Sequence, residues 1–507
     1  IAYFSVMMKA REYDSNFFSR SNIPQPRVYD IQESNWLGGA YKHEMGNFLN
    51  SQEHRDTLNY LLDAFVDAKE YGSILQIKPL DYEGLKEAWE TSAAATAGDI
   101  NMVMWYDAAK DAVAQFIEQA IMLSQKYDAV VTNPPYMGSS GMGAHLANFV
   151  KKYYPDSKSD LFAVFIEVCS RMAAEKRYQA MITQHAWMFL SSYEKLREKM
   201  MLTETVNMAH LGARAFEEIG GEVVQTTSFV RCRTHIDGYK GTYCRLIEPT
   251  SQQGKEDMFL SSENRYFANQ DNFAKIPGSP VAYWVSAKVY QAFTNKLVRD
   301  YAFVGIGMRR FLRRWFEVSI ERECFDAKDK IDAINSHKKW FSYNKGGERR
   351  RWYGNNEYIV NWENDGFEIK ENTKLHYPQL GDNLGWKISN ETQYFKPLLT
   401  WTFISSAGFG GVRYKNQGFI CDVQGSMIVG DDIALKYLAG FLCSKVTAYL
   451  LDIINPTISI QVKDIATLPV ISEQQDKVVS ITKECISAEK DDWDAFETSW
   501  DFKKHPL

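Results

Sequence analysis

Residues 127–143 read Tyr-Asp-Ala-Val-Val-Thr-Asn-Pro-Pro-Tyr-Met-Gly-Ser-Ser-Gly-Met-Gly. Ala129, Val130 and Val131 have the pattern of a short buried strand from the middle of a parallel sheet. The strand must stop at Asn133-Pro134-Pro135-Tyr136, because two prolines cannot extend a central strand and each holds its predecessor extended. A stiff tetrapeptide therefore falls just past the carboxyl end of a strand, where parallel α/β sheets keep their ligands. Asn133 offers an amide oxygen to an amino group, the Pro134 carbonyl offers a second acceptor, and Tyr136 offers a flat face to a planar ring. After it, 139–143 reads as a flexible loop able to close over a ligand.

Outward from this stretch the rhythm is strand, helix, strand, helix. Ser159-Asp160-Leu161-Phe162 opens a helix with a capping signal, 178–183 reads as a strand, and 187–201 as a helix. A further strand falls at 205–209, and 223–230 alternates as an edge or hairpin strand. Upstream, 26–31 reads as a strand with the polar end Gln32-Glu33, and 44–71 and 81–124 as largely amphipathic helices, with Leu61, Leu62, Phe65 and Val66 on one face. The pattern predicts a doubly wound, Rossmann-like α/β domain over 1–235, with a helical insertion at about 41–124. The first residues, Ile1 to Arg11, read as a buried helix without an initiator, so the domain is expected to be incomplete at its N-terminus.

Residues 236–300 read as a connector containing a helix over 286–297. From 301 the character changes, because basic and aromatic residues interleave. The clusters are Arg309-Arg310-Phe311-Leu312-Arg313-Arg314-Trp315-Phe316, Lys338-Lys339-Trp340-Phe341, and Lys345-Gly346-Gly347-Glu348-Arg349-Arg350-Arg351-Trp352-Tyr353. Such surfaces pair cations with phosphates and stack rings on bases or sugars. A mixed α+β region over 301–470 is expected, mostly helical at 432–451, and 471–507 begins a charged helical region.

Composition narrows the classes further. With 507 residues, 45% hydrophobic and 14% aromatic, the chain can build real cores and is not disordered. Seven scattered cysteines, never Cys-x-x-Cys, point to reduced thiols in a cytoplasm and away from structural zinc; no metal is expected. No apolar run has the length of a membrane span. A formal charge of −6 offers no global attraction to nucleic acid, so binding must come from local basic patches.

With these residues in view, the Asn133–Tyr136 motif resembles that of DNA amino-methyltransferases, and the whole chain resembles the PglX-type adenine-specific DNA methyltransferases of BREX phage-defence systems. The likeness is carried by 127–142, 155–167, 210–227, 344–355 and 455–470. It implies N6-adenine methylation at a short asymmetric site, with S-adenosylmethionine as donor and double-stranded DNA as partner. On that likeness 1–235 is the methyltransferase domain and 301–470 the target recognition domain. Asn133 and Pro134 would hold the amine of a flipped adenine, Tyr136, held by Pro135, would stack on it, and Phe229 would complete the sandwich. Gln32, Glu33 and Asn133 would touch the cofactor. Arg309, Arg310, Arg313, Arg314, Lys345, Arg349, Arg350 and Arg351 would contact DNA. Other phage-defence proteins and a phage-encoded DNA mimic are further partners that the resemblance suggests.

Two departures stand out. The family's glycine-rich cofactor loop has no counterpart in 1–132; Gly408-Phe409-Gly410-Gly411 lacks a following helix and reads as a turn of the recognition region. The segment 304–308 is shorter than the family's loop there. A nuclease–methyltransferase fusion remains an alternative, although Pro155-Asp156 is followed by Glu167 but not by a lysine two residues after it, where Cys169 stands. So does a DNA-recognition module inactive without partners. Protein glutamine methyltransferases share the tetrapeptide but need no basic–aromatic region downstream.

Overall fold

The 127–132 stretch becomes β1 (Tyr127–Thr132) of a six-stranded sheet in the computed structural model. The structure describes residues 1–37, 45–92, 100–216, 224–294, 309–388, 390–405, 408–421, 426–455, 459–470 and 473–505. They form two compact units, 1–187 with 195–267, and 188–194 with 268–507.

In the first unit β1 leads through α5 (Ala144–Tyr153) and α6 (Leu161–Met172) into β2 (Ala173–Gln184), which pairs with β1 in parallel. Then come α7 (Glu194–Met200), β3 (Glu204–Gly212), β4 (Thr226–Cys232), β5 (Gly241–Arg245) and β6 (Arg265–Ala268), giving the order β1-β2-β4-β3-β5-β6. Crossover connections and parallel pairs define an α/β sheet, with β4 antiparallel to both its neighbours. The sheet continues through β5 and β6, beyond residue 235, where the polar 234–238 segment reads as the domain's end.

Three sequence expectations are corrected here. Among the described residues the 129–131 run is an edge strand rather than a central one; β2 lies on one side and Val131 stays 74% exposed. Apolar composition reports the tendency of a strand to be covered, but not which of its sides finds a partner. Conversely, the 223–230 segment supplies β4, a central strand between β2 and β3, and its adjacent threonines, one on each face, are both covered: Thr226 and Thr227 are fully buried. The 26–31 segment is extended but joins no sheet. The Gln119 amide does a neighbouring strand's work, donating to the Asp30 carbonyl at 2.9 Å and accepting from the Gln32 N–H at 3.0 Å.

The helical region comprises α1 (Ala2–Tyr13), α2 (Gln52–Ala64), α3 (Tyr82–Glu90) and α4 (Ile100–Ser124). Leu58, Leu61, Leu62 and Phe65, at helical spacing, are all fully buried against Leu85, Trp89, Phe116 and Ile117. Val66 falls off that face and is exposed. The opening helix forms but is not buried: only Met7 is covered, whereas Phe4 and Val6 are 66% and 50% exposed.

The second unit is mixed. One sheet orders β13 (Phe419–Cys421), β9 (Trp340–Asn344), β10 (Tyr358–Asn361) and β7 (Leu312–Arg314), with β8 (Glu323–Cys324) also on β9. A second orders β12 (Arg413–Lys415), β11 (Leu398–Thr400) and β14 (Met427–Val429). The 286–297 helix is seen at Ala287–Thr294, and 295–300 lies outside the described residues. The 432–451 reading splits into Asp432–Leu442 and Lys445–Ile454, bent by 74°; the charged helix runs Gln475–Asp494. No single described helix is long and apolar enough to cross a membrane.

Candidate active site and nucleic-acid interface

The parallel β1–β2 pair aims both carboxyl ends the same way, so the tetrapeptide emerges from β1 at the edge where a parallel sheet presents its ligands. Asn133 is exposed, Pro134 buried, Pro135 exposed and Tyr136 half-buried. Among the described residues neither the Asn133 amide nor the Pro134 carbonyl has a partner, which leaves two acceptors available side by side. The Tyr136 ring meets Phe162 edge-on, centroids 6.2 Å apart, and its buried hydroxyl has no hydrogen-bond partner. Burial, then the nearby Asp160 carboxylate, holds that phenol above its usual pKa.

Behind the motif a clamp holds the loop. The Asp160 carboxylate accepts from the Met137 N–H at 3.0 Å and caps α6 by accepting from the Phe162 N–H at 3.2 Å. The Leu161 N–H donates to the Met137 carbonyl at 3.0 Å, and the Ser139 N–H to the Ser159 carbonyl at 3.0 Å. One helix N-terminus thus fixes the position of Tyr136 and its neighbours. Burial pushes the Asp160 carboxyl above the usual carboxylate range, opposed by these backbone donors. The capping signal was visible in the sequence; that the cap also grips the motif was not. The clamp corrects the flexible reading of 139–143, since Ser139–Gly141 is a pinned 3-10 turn.

The other expected site residues are dispersed. Phe229 is 1% exposed in β4, between Met181 and Met208, and packs edge-on against Trp187 at 5.4 Å. That ring belongs to the core and has no face to give a base. Gln32 folds back on Asp30, while half-buried Glu33 has no partner among the described residues. Asp156 and Glu167 do share a lysine, from another helix: Lys199 contacts them at 2.7 and 2.8 Å, forming an ion-pair network. A feature not anticipated is His185, just past β2, whose Nδ1 lies 2.8 Å from Nε2 of buried His210. Burial holds His185 down at about 4 and His210 well below its normal value, so both imidazoles are neutral.

In the second unit, edge strand β7 exposes Arg313 and Arg314. Arg313 lies over the Trp340 ring at 5.7 Å and Arg314 over Phe316 at 5.8 Å. Tyr358 stands opposite Arg314 in the ladder and carries Lys345 over its ring at 4.1 Å, so these cations and rings gather at one end of the sheet. Arg310 and Arg349 are exposed. Arg350 instead turns to the Gln475–Asp494 helix, 3.3 Å from Asp492 and over Trp493 at 5.0 Å. The Arg351 Nε donates to the Gly410 carbonyl at 2.8 Å. The 408–411 turn packs on this arginine run, since a Cβ at Gly410 would lie 2.5 Å from the Arg349 Cγ. The Arg309 side chain and 304–308 lie outside the described residues.

The α/β sheet that carries Asn-Pro-Pro-Tyr past β1 is consistent with a methyltransferase fold, and residues 1–212 match the family described as Eco57I restriction-modification methylase. Over its full length the chain is 36% identical to the adenine-specific methyltransferase PglX of Lacticaseibacillus casei (strain Zhang). It is 38% identical, over 99% of its length, to the adenine-specific methyltransferase BrxX of Escherichia coli O9:H4 (strain HS). The resemblance read from the sequence thus holds along the whole chain, which spans 42% of the length of each relative. Among solved structures, the type IIL restriction-modification enzyme MmeI in complex with DNA aligns at 12% identity and TM-score 0.47, covering 74% of this chain and 50% of that one.

Proposed function

We propose that the chain carries the catalytic and DNA-reading parts of a site-specific DNA adenine N6-methyltransferase that marks host DNA in a BREX-type phage-defence system. The observation that carries this reading is the pair of free acceptors, Asn133 and Pro134, held past a parallel strand by the Asp160 clamp. Two acceptors on adjacent residues suit the two hydrogens of an exocyclic amine. Accepting both keeps the nitrogen lone pair out of conjugation with the ring and places partial negative charge where positive charge develops. S-adenosylmethionine supplies the electrophilic methyl group. Positioning then does the work, with no general base among the motif residues.

Tyr136 is the stacking face, made rigid by Pro135 on one side and the Met137–Asp160 bond on the other. Glu33 has the acceptor chemistry a ribose diol needs and is free for it, whereas the Gln32 amide is already engaged. Arg310, Arg313, Arg314, Lys345 and Arg349 are the phosphate-contacting set, while Arg350 and Arg351 brace the fold. Double-stranded DNA is the partner this surface fits. The experiment is base-resolved mapping of N6-methyladenine after incubating the intact protein with S-adenosylmethionine and unmethylated DNA, beside Asn133→Ala. Methylation of one motif on one strand, lost in the variant, supports the reading; DNA binding without methylation under all conditions overturns it.

A further inference from the structure

The second unit holds a cavity of about 820 Å³ far removed in sequence from the methyltransferase motif. Its wall includes Glu323, on β8, which is 5% exposed and, among the described residues, has no hydrogen-bond partner on either carboxyl oxygen. A buried carboxyl with nothing to accept is a costly feature in a folded protein, and in a cavity wall it marks a candidate binding site. Burial pushes this carboxyl up to about 7.

The rest of the wall narrows the ligand. Its cations are already engaged: Lys415, fully buried, donates to the carbonyls of Gly354 and Asn355 and to the Asn356 amide oxygen. Lys490 is paired with Asp494 and Asp501, and Lys338 donates to the Glu321 carbonyl. Asp432, an exposed acid on the wall, is taken by Lys436 and the Tyr414 hydroxyl. Among the described residues the carboxylates left over are Glu323 inside and exposed Asp326, whose side chain receives the Cys324 thiol. Between them Phe325 stacks on Trp500, centroids 4.3 Å apart, and both rings line the cavity. An anion would meet two carboxylates, and a neutral apolar ligand would leave Glu323 unpaired. A cation on a methylene stem satisfies the carboxyls with its ammonium hydrogens and covers the rings with its stem.

We propose that this cavity is a binding site for an aliphatic diamine, with one ammonium on Glu323, the second toward Asp326, and the methylenes against Phe325 and Trp500. The site is independent of the methyltransferase reading, and its test needs neither DNA nor S-adenosylmethionine. Isothermal titration of the intact protein with 1,4-diaminobutane, beside the neutral isostere 1,4-butanediol, should give saturable binding of the diamine and none of the diol. Glu323→Gln, an isosteric change, should weaken the diamine by about tenfold or more, as expected for losing a charge-assisted hydrogen bond. Asp382→Asn, at a fully exposed acid outside the cavity, should leave it unchanged. Thermal unfolding of each variant confirms that it is folded. Diamine binding that is absent, matched by the diol, or equal in Glu323→Gln and the parent protein overturns the proposal.

Discussion

Removing the Asp160 carboxylate should loosen the motif loop before it affects anything else. In Asp160→Ala two donors lose their acceptor, the Met137 N–H and the Phe162 N–H. Loss of a helix cap costs about 1 kcal/mol, and orphaning the part-buried Met137 N–H about 1–2 kcal/mol, the lower part of the range for a buried donor. The Leu161 and Ser139 backbone bonds survive, so the local cost should sum to about 2–3 kcal/mol. At 1.4 kcal/mol per tenfold, amide exchange of a peptide spanning 133–142 should quicken by roughly 30- to 150-fold, while β2–β4 amides keep their protection. The methylation kcat should fall with it, because the acceptors are no longer held in position, and the KM for DNA should change little. Asp160→Asn keeps an oxygen acceptor and should lose far less on both readouts. Unchanged exchange and unchanged kcat in Asp160→Ala would refute the clamp.

Other consequences follow from where side chains lie. Arg349→Ala should weaken DNA binding across sequences and lower its salt slope by about one, whereas Arg350→Ala, which breaks the Asp492 and Trp493 contacts, should show mainly in thermal stability. Phe229→Ala should destabilise by about 3–5 kcal/mol as a core truncation; a stable variant with selectively lost turnover would return that ring to the base. Glu323, whose folded pKa of about 7 exceeds its unfolded value, contributes stability that is complete below about pH 4.5 and is lost as pH rises through 7. Glu323→Gln should therefore melt with the parent protein at pH 5 and above it at pH 8, by scanning calorimetry without added amine. The neutral His185–His210 pair has the opposite sign: with folded pKa values below the unfolded 6.5, stability should drop as pH falls below about 6.5, and a smaller drop in melting temperature from pH 7 to 5 in His210→Gln, which keeps His185, would confirm the source.

Much of this architecture could be read from the chain because its signals are local. The 178–183 and 205–209 strands, the capped helix at 161 and the helical face around Leu61 follow from periodicity and capping over a few residues. What could not be read is non-local. Strand order made 129–131 an edge and 226–232 a centre, although the composition of each suggested the reverse. The 26–31 segment has strand-like residues but receives its hydrogen bonds from the Gln119 side chain, which no pattern in 26–31 encodes. In the candidate site, Asn133 and Tyr136 were legible because proline stiffness and acceptor chemistry are properties of the tetrapeptide itself. The Asp160 grip on Met137 spans 23 residues, and the Lys199 bridge to Asp156 spans 43; neither spacing is a motif. Arginines also look alike in sequence, so Arg349, which is exposed, and Arg350, which is tied to a helix, were told apart only by their partners.

The most direct test of the central claim compares the intact protein with Asn133→Ala on unmethylated DNA and S-adenosylmethionine, reading N6-methyladenine at single-base resolution and DNA affinity in parallel. The predicted result is one adenine methylated on one strand of a short recurring site, abolished in the variant while DNA affinity stays within about threefold, or 0.7 kcal/mol. Methylation that persists in Asn133→Ala, or a modified base other than adenine, would contradict it.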